Sequence, residues 1–324
     1  MKRREFIALL GGVTAMLRPV AARAQQAPMR RVGILWPAAS PPAPPRLEWF
    51  TQALRQLGFT EGHNLAIELR YAQQGLQQIP ELAAELARMN VEVVAAFGDL
   101  APKAMQQASK AVPIVAMADD ILGAEIVTSL SRPGGNTTGV TVMAPELSQK
   151  RLELLSEIAP GLRRVAALWD PSTGASQVSA TERAARTLKL ELQIVDVRRR
   201  EDLANAFRSA QAGGAEALSI FSSPLLASII HEIINLSAAE RLPTVYQWKE
   251  HVEAGGLVSY GPSLEAVWRQ AGSIVAKILN GNKPADLPVE QPAKFELAVN
   301  ARTAKALGIT IPASVLVQAD AVIE

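Results

Sequence analysis

Two rhythms alternate along this chain, short continuous apolar runs and longer stretches in which apolar residues recur every three to four positions. The runs at 31–36, 64–71, 91–97, 114–118 and 139–142 predict strands, and the stretches at 47–57, 80–89, 101–111 and 121–130 predict the helices between them. A second series repeats the plan. Helices at 148–158, 178–188, 201–212 and 225–239 alternate with strands at 165–169, 192–197, 217–221 and 244–248. Strands and helices that take turns in this way make right-handed βαβ units and parallel sheets. The expected fold is therefore α/β, with two doubly wound parallel-sheet lobes.

The stretch 254–282 organises the rest, because it returns the chain from the second series to the first. It reads as a short apolar strand, a turn through Gly261 and Pro262, and a helix capped by Ser263, with an apolar stripe at Val267, Ile274, Val275 and Ile278. Glycine permits a bend and proline fixes one, so Gly255, Gly256, Gly261 and Pro262 are the expected hinge between lobes. Beyond a proline-rich return at 284–292, a strand at 295–300 and a helix at 301–307 complete the chain. Three passages between lobes follow, near 143–150, 254–263 and 283–294. Residues 25–145 plus 263–285 are expected to form the N-terminal lobe, and 146–262 plus 286–324 the C-terminal lobe.

Residues 1–24 stand apart from this pattern. A basic start at Lys2, Arg3 and Arg4, an apolar run from 6 to 17 and the A-x-A sequence of Ala22, Arg23 and Ala24 form a secretory signal peptide, expected to be cleaved after Ala24. The Arg3-Arg4 pair resembles a twin-arginine signal, and the apolar run is shorter than the roughly 20 residues a spanning helix needs. Export to the periplasm follows. The leader also carries +4 of the chain's charge, which totals +2, so the remaining 300 residues hold about −2. No basic surface for nucleic acid is implied.

The chain has no cysteine and only three histidines, His63, His231 and His251. Disulfides, thiolate sites and a lipid-bearing cysteine are thereby excluded, and neither a metal nor a cofactor is expected. Catalytic patterns are missing as well. There is no G-x-S-x-G elbow, the run Pro133-Gly134-Gly135-Asn136 lacks a Walker lysine, and the adjacent Glu250 and His251 point apart on a helix. A binding protein is favoured over an α/β enzyme or a ligand sensor of the same fold.

In parallel sheets ligands bind beyond the carboxyl ends of the strands. Six of the chain's eight Trp and Tyr side chains stand at such exits: Trp36, Tyr71, Trp169, Tyr246, Trp248 and Tyr260. Polar residues at the same level are Ser40, Gly98, Asp99, Asp119, Asp120, Ser172, Ser222 and Ser223. Each can serve as a turn or helix cap, and together the serines suit a carboxylate and the aspartates an ammonium group. All of these except Tyr71 are the expected ligand-binding residues. An amino acid or aromatic carboxylate is the favoured solute, with a sugar as the alternative.

The segments KRREFIALLGG, RPGGNTTGVT, KRLELL, YQWKEHVEAGGLVSYGPS, GNKPADLPVEQPAKFELAVNARTAKALGI and ADAVIE resemble the bacterial ABC-transporter substrate-binding proteins of the tryptophan/tyrosine-uptake type. The similarity runs over essentially the whole chain. It implies a type I periplasmic binding protein fold with three crossovers, acting as a monomer that passes its solute to a membrane permease and an ATPase.

Overall fold

The computed structural model describes residues 29–324, so the signal-peptide reading lies outside the described residues. The first half comprises β1 (Arg30–Trp36), α1 (Pro44–Gln56), β2 (Leu65–Tyr71), α2 (Ile79–Arg88), β3 (Val93–Phe97), α3 (Leu100–Ala108), β4 (Ile114–Ala118) and β5 (Thr137–Thr141). Next come α4 (Ser148–Ile158), β6 (Arg164–Trp169), α5 (Ser176–Leu188), β7 (Glu191–Asp196), α6 (Leu203–Ala212), β8 (Ala217–Ile220), α7 (Pro224–Ser228), α8 (Ile230–Ala239), β9 (Thr244–Tyr246) and α9 (Lys249–Glu253). The chain ends with β10 (Val258–Pro262), α10 (Leu264–Leu279), β11 (Phe295–Asn300), α11 (Ala301–Leu307), α12 (Ala313–Gln318) and β12 (Ala321–Ile323).

Two sheets result. The first has the order β2-β1-β3-β4-β5 and is parallel throughout; the second has the order β12-β11-β10-β9-β8-β6-β7. In the second, β10 and β11 pair antiparallel, a departure from the expected all-parallel pattern. The reason is topological: between them the chain leaves for the first lobe as α10 and re-enters from the cleft side. The central strands explain the continuous apolar runs, since β3 is buried along its whole length between helices on both faces.

Helix α10 belongs to the first lobe by packing, although it follows the second lobe in sequence. Ser263 caps it by accepting from Ala266 N at 3.5 Å, and Val267, Trp268, Ala271, Ile274 and Val275 enter one core with β1, β3 and α1. Trp268 stacks on Phe97 with ring centroids 4.4 Å apart, and Trp36 meets Phe97 edge-on at 5.5 Å. Gly272 sets the spacing to α1, because a Cβ there would lie 2.5 Å from the Phe50 carbonyl oxygen.

The crossovers are tied down by Arg151 of α4, which is 2% exposed. Its Nε donates to Tyr260 O at 2.8 Å and its Nη1 to Ala144 O at 3.3 Å, so one guanidinium holds the first crossing strap and the strand that leads to the second. After α10 the chain runs along β5. Thr138 Oγ1 donates to Leu287 O at 2.7 Å and Glu290 N to Gly139 O at 2.8 Å. Residues 287–290 therefore lie with the first sheet, and the third crossing is confined to 291–294, where the sequence pattern placed everything from 286 in the second lobe. Local composition could not show this, because the segment is held by the edge of β5. The expected helix at 121–130 is also absent. Asp120 Oδ1 accepts from Gly123 N at 2.7 Å and Glu125 takes φ +56°, so a chain of turns buries Ile121, Ile126 and Val127 instead.

Replacing Gly272 with alanine tests the packing of α10. Helix propensity alone favours alanine by about 1 kcal/mol, whereas overpacking against α1 costs about 1–3 kcal/mol. The expected outcome in denaturant unfolding is net destabilisation, and a more stable variant would contradict the assigned contact.

Candidate functional site

The carboxyl ends of both sheets face each other across one cavity. From the first lobe it is lined by Trp36, Phe97, Gly98, Met117, Ala118, Asp119 and Val142, with Arg46, Leu264 and Trp268 from α1 and α10; from the second by Ser222, Ser223, Pro224, Ala227 and Trp248. The free space, about 50 Å³, is small. The lobes meet closely beside it, since a Cβ on Gly98, which has φ +68°, would lie 3.2 Å from Pro224 Cγ.

Of the residues expected from strand exits, Trp36, Gly98, Asp119, Ser222, Ser223 and Trp248 lie in this lining. The others do not. Ser40 is exposed in the loop before α1, and Asp120 is a turn residue. Asp99 lies behind Gly98, its Oδ2 3.5 Å from where a Cβ on Gly174 of the other lobe would stand. Trp169 is half-buried and donates its Nε1–H to Gly174 O at 3.1 Å; Ser172 is fixed by its own N–H, which donates to Asp170 Oδ1 at 2.9 Å. Tyr246 is enclosed in the second lobe's core, edge-on to His251, because the parity of its short strand turns it away from the cleft. Tyr260 stacks on Phe295 at 6.2 Å, on the far side of β10's pleat.

The hinge assignment also changes. Gly255 and Gly256 precede β10, whose start pairs with the end of β11, so they lie at the pole of the second lobe opposite the cleft. Gly256 is there for a close approach, since a Cβ would come 2.6 Å from Tyr246 Cε2. Gly261 likewise admits the Gln247 carbonyl, which would be 2.1 Å from its Cβ. Pro262 alone of the four immediately precedes a crossing.

Of the cavity residues that the strand exits do not reveal, Trp268 and Arg46 are delivered by helices. Trp268 comes from the buried face of α10. Arg46 comes from the first turn of α1 and lies over the Trp36 ring, its Cζ 5.7 Å from the centroid. Burial lowers its pKa, opposed by Glu250 of the other lobe. The signal for Arg46 was available in the Pro44-Pro45 start of the helix, which aims that turn at the strand ends.

Three buried carboxyl groups and two guanidiniums, those of Arg46 and Arg151, stand around the cavity. Burial is the main force that pushes Asp119 up to about 6, against the Ser222 hydroxyl and the Arg151 guanidinium, which favour its charged form. Asp99 is pushed up to about 8 by burial and then by the charge of Asp119. Asp170 is buried too, and it accepts Ser223 Oγ–H at 2.6 Å. Among these three carboxyl groups stands Arg151, which burial lowers to about 10 and whose Nη2 has no partner among the described residues. Trp36 Nε1 and Trp268 Nε1 are buried donors without an acceptor among the described residues. A cationic group is the natural complement of the carboxylates, and an acceptor group that of the indoles and Arg46.

Two lobes built on largely parallel sheets, three crossings and a cavity shared by both lobes define a two-lobed solute-binding protein of the type I periplasmic binding fold. The chain belongs to the ABC transporter substrate binding protein family, whose model matches residues 32–323. It is 24% identical over 262 residues to a tyrosine-binding protein of Clostridioides difficile, covering 80% of this chain and 75% of that one. Among solved structures, a conserved domain protein from Vibrio cholerae superposes with TM-score 0.83 at 25% identity, covering 91% of this chain and 99% of the other. An ABC domain from Streptococcus pneumonia in complex with L-Trp gives 0.81 at 24% identity, with coverage of 91% and 100%. A ligand-free, open substrate-binding protein from Clostridium difficile gives 0.63 at 24% identity, with coverage of 91% and 99%.

The raised carboxyl pKa values predict a pH dependence. Between the ordinary value near 4 and the folded values of about 6 and 8, the folded chain binds more protons than the unfolded one, so stability falls as pH rises through that window. The thermal midpoint should be higher at pH 5 than at pH 8, and Asp99→Asn should reduce the fall. Equal falls in the two proteins would contradict the assignment.

Proposed function

We propose that this chain is a non-catalytic receptor that captures an aromatic α-amino acid between its lobes and delivers it to a membrane permease coupled to an ATPase. The observation that carries this reading is the cavity lining, in which Trp36, Phe97, Trp248 and Trp268 surround one space that also presents Asp119 and Arg46. Flat apolar walls suit an aromatic side chain. The carboxylate of Asp119 matches the α-ammonium group, and Arg46 matches the α-carboxylate as a charge-assisted donor. A sugar would use the aromatic walls and hydrogen-bond Asp119 and Arg46 but would leave both without an opposite charge.

The closer superposition on the L-Trp complex than on the open, ligand-free relative supports capture by lobe closure. Solute favours the closed form only through contacts it makes better there, and a switch from 1:99 to 99:1 takes about 5.5 kcal/mol of differential affinity. Export to the periplasm after cleavage at Ala24 and a monomeric state complete the proposal. Nucleic acid has no part in it.

Calorimetry on residues 25–324 tests the reading. One molecule of L-tyrosine or L-tryptophan should bind per chain, with no saturation by D-glucose or adenosine. Asp119→Asn should weaken binding by about tenfold to a hundredfold, the worth of a charged hydrogen bond. Saturation by glucose, failure of both amino acids or an unchanged affinity in Asp119→Asn would each contradict it.

A further inference from the structure

Behind the main cavity lies a second, enclosed chamber of about 10 Å³ in the second lobe. The two share Ser222, Ser223, Ala227 and Trp248 in their walls, so they are back to back. The chamber is walled on its far side by Gln247 and His251. Both are buried, at 2% and 7% exposure, and all four of their side-chain polar atoms, Gln247 Oε1 and Nε2 and His251 Nδ1 and Nε2, lack a partner among the described residues.

This concentration is unusual. Buried polar groups are normally bonded, and leaving one unsatisfied costs about 1–3 kcal/mol. Gln247 is placed here by design of the backbone, since Gly261 has no side chain to obstruct its carbonyl. His251 is neutral, because burial and then the charge of Arg46 hold its pKa down to about 3. A neutral imidazole has one donor and one acceptor, and an amide has both kinds. The chamber thus offers complementary partners to a group that itself donates and accepts. Its size admits one oxygen-sized group, roughly the room a single water requires.

We infer that the chamber is a specificity subsite for a phenol hydroxyl: the ligand's ring stays among the tryptophans while its hydroxyl passes Trp248 and Ala227 to bond Gln247 and His251. This rests on the aromatic amino acid reading above and narrows it to a tyrosine-like solute. Phenylalanine leaves the four polar atoms unsatisfied. Tryptophan presents only a donor, flush with its ring edge. A site built to bond a hydroxyl discriminates strongly against the analogue that lacks it.

Calorimetry with L-tyrosine and L-phenylalanine on residues 25–324 supplies the test. The native chain should bind tyrosine at least tenfold more tightly than phenylalanine, a comparison that needs no variant. In Gln247→Leu, which keeps the shape and removes the amide, tyrosine should fall to within about threefold of phenylalanine while phenylalanine binds as well as before or better. A merely structural role for Gln247 would weaken both ligands alike, and that result overturns the inference. So does phenylalanine binding within threefold of tyrosine in the native chain, which leaves the aromatic amino acid reading intact. Absence of binding by both ligands removes that reading and the subsite with it.

Discussion

The burial of Trp268 against Phe97 is the interaction on which the architecture depends. It draws α10 out of the second half of the chain and into the core of the first lobe, beside α1 and under the ends of β1 and β3. Once that helix is committed there, the chain must cross between lobes before it and again after it, in addition to the crossing at α4. The same indole lines the interlobe cavity. Core packing and site construction are therefore one event, and burying so large a ring supplies several kcal/mol toward both.

The crossings would otherwise be three loose straps. Arg151 binds the carbonyls of Ala144 and Tyr260 with one side chain, and its charge is felt by Asp119 in the cleft. A buried guanidinium costs free energy unless its donors and charge are answered. Here two donors are answered by the crossing backbone and the charge by a carboxylate of the opposite lobe. Lobe geometry and the cavity's electrostatics are thus linked through a single residue, and a cationic group arriving at Asp119 competes directly with that link.

Much of the fold is legible in the sequence because the central strands are continuous apolar runs and the long helices keep their period, as in β3 and α10. What stays hidden is tertiary. Residues 121–130 have helical spacing but are stabilised as turns by Asp120 and Gly123, and residues 287–290 join the first sheet by bonding along the edge strand β5 and burying Val289. In the site, Trp36, Asp119, Ser222 and Trp248 were accessible to reasoning because parallel strands point their ends at the cleft. Tyr246 and Tyr260 obey the same rule of position, yet face away, since a strand buried on both sides gives no clue to parity. Arg46, Trp268 and Gln247 needed the fold itself. A helix start, a return helix and a carbonyl beside a glycine bring them together, and no local pattern records that convergence.

We propose that the two lobes clasp an aromatic amino acid among Trp36, Phe97, Trp248 and Trp268. A crystal structure of residues 25–324 grown with L-tyrosine measures it most directly. Density for one molecule is expected in the interlobe cavity, with its amino group on Asp119 and its ring among those four side chains. A ligand bound elsewhere, or a cavity left without density under saturating tyrosine, would contradict it.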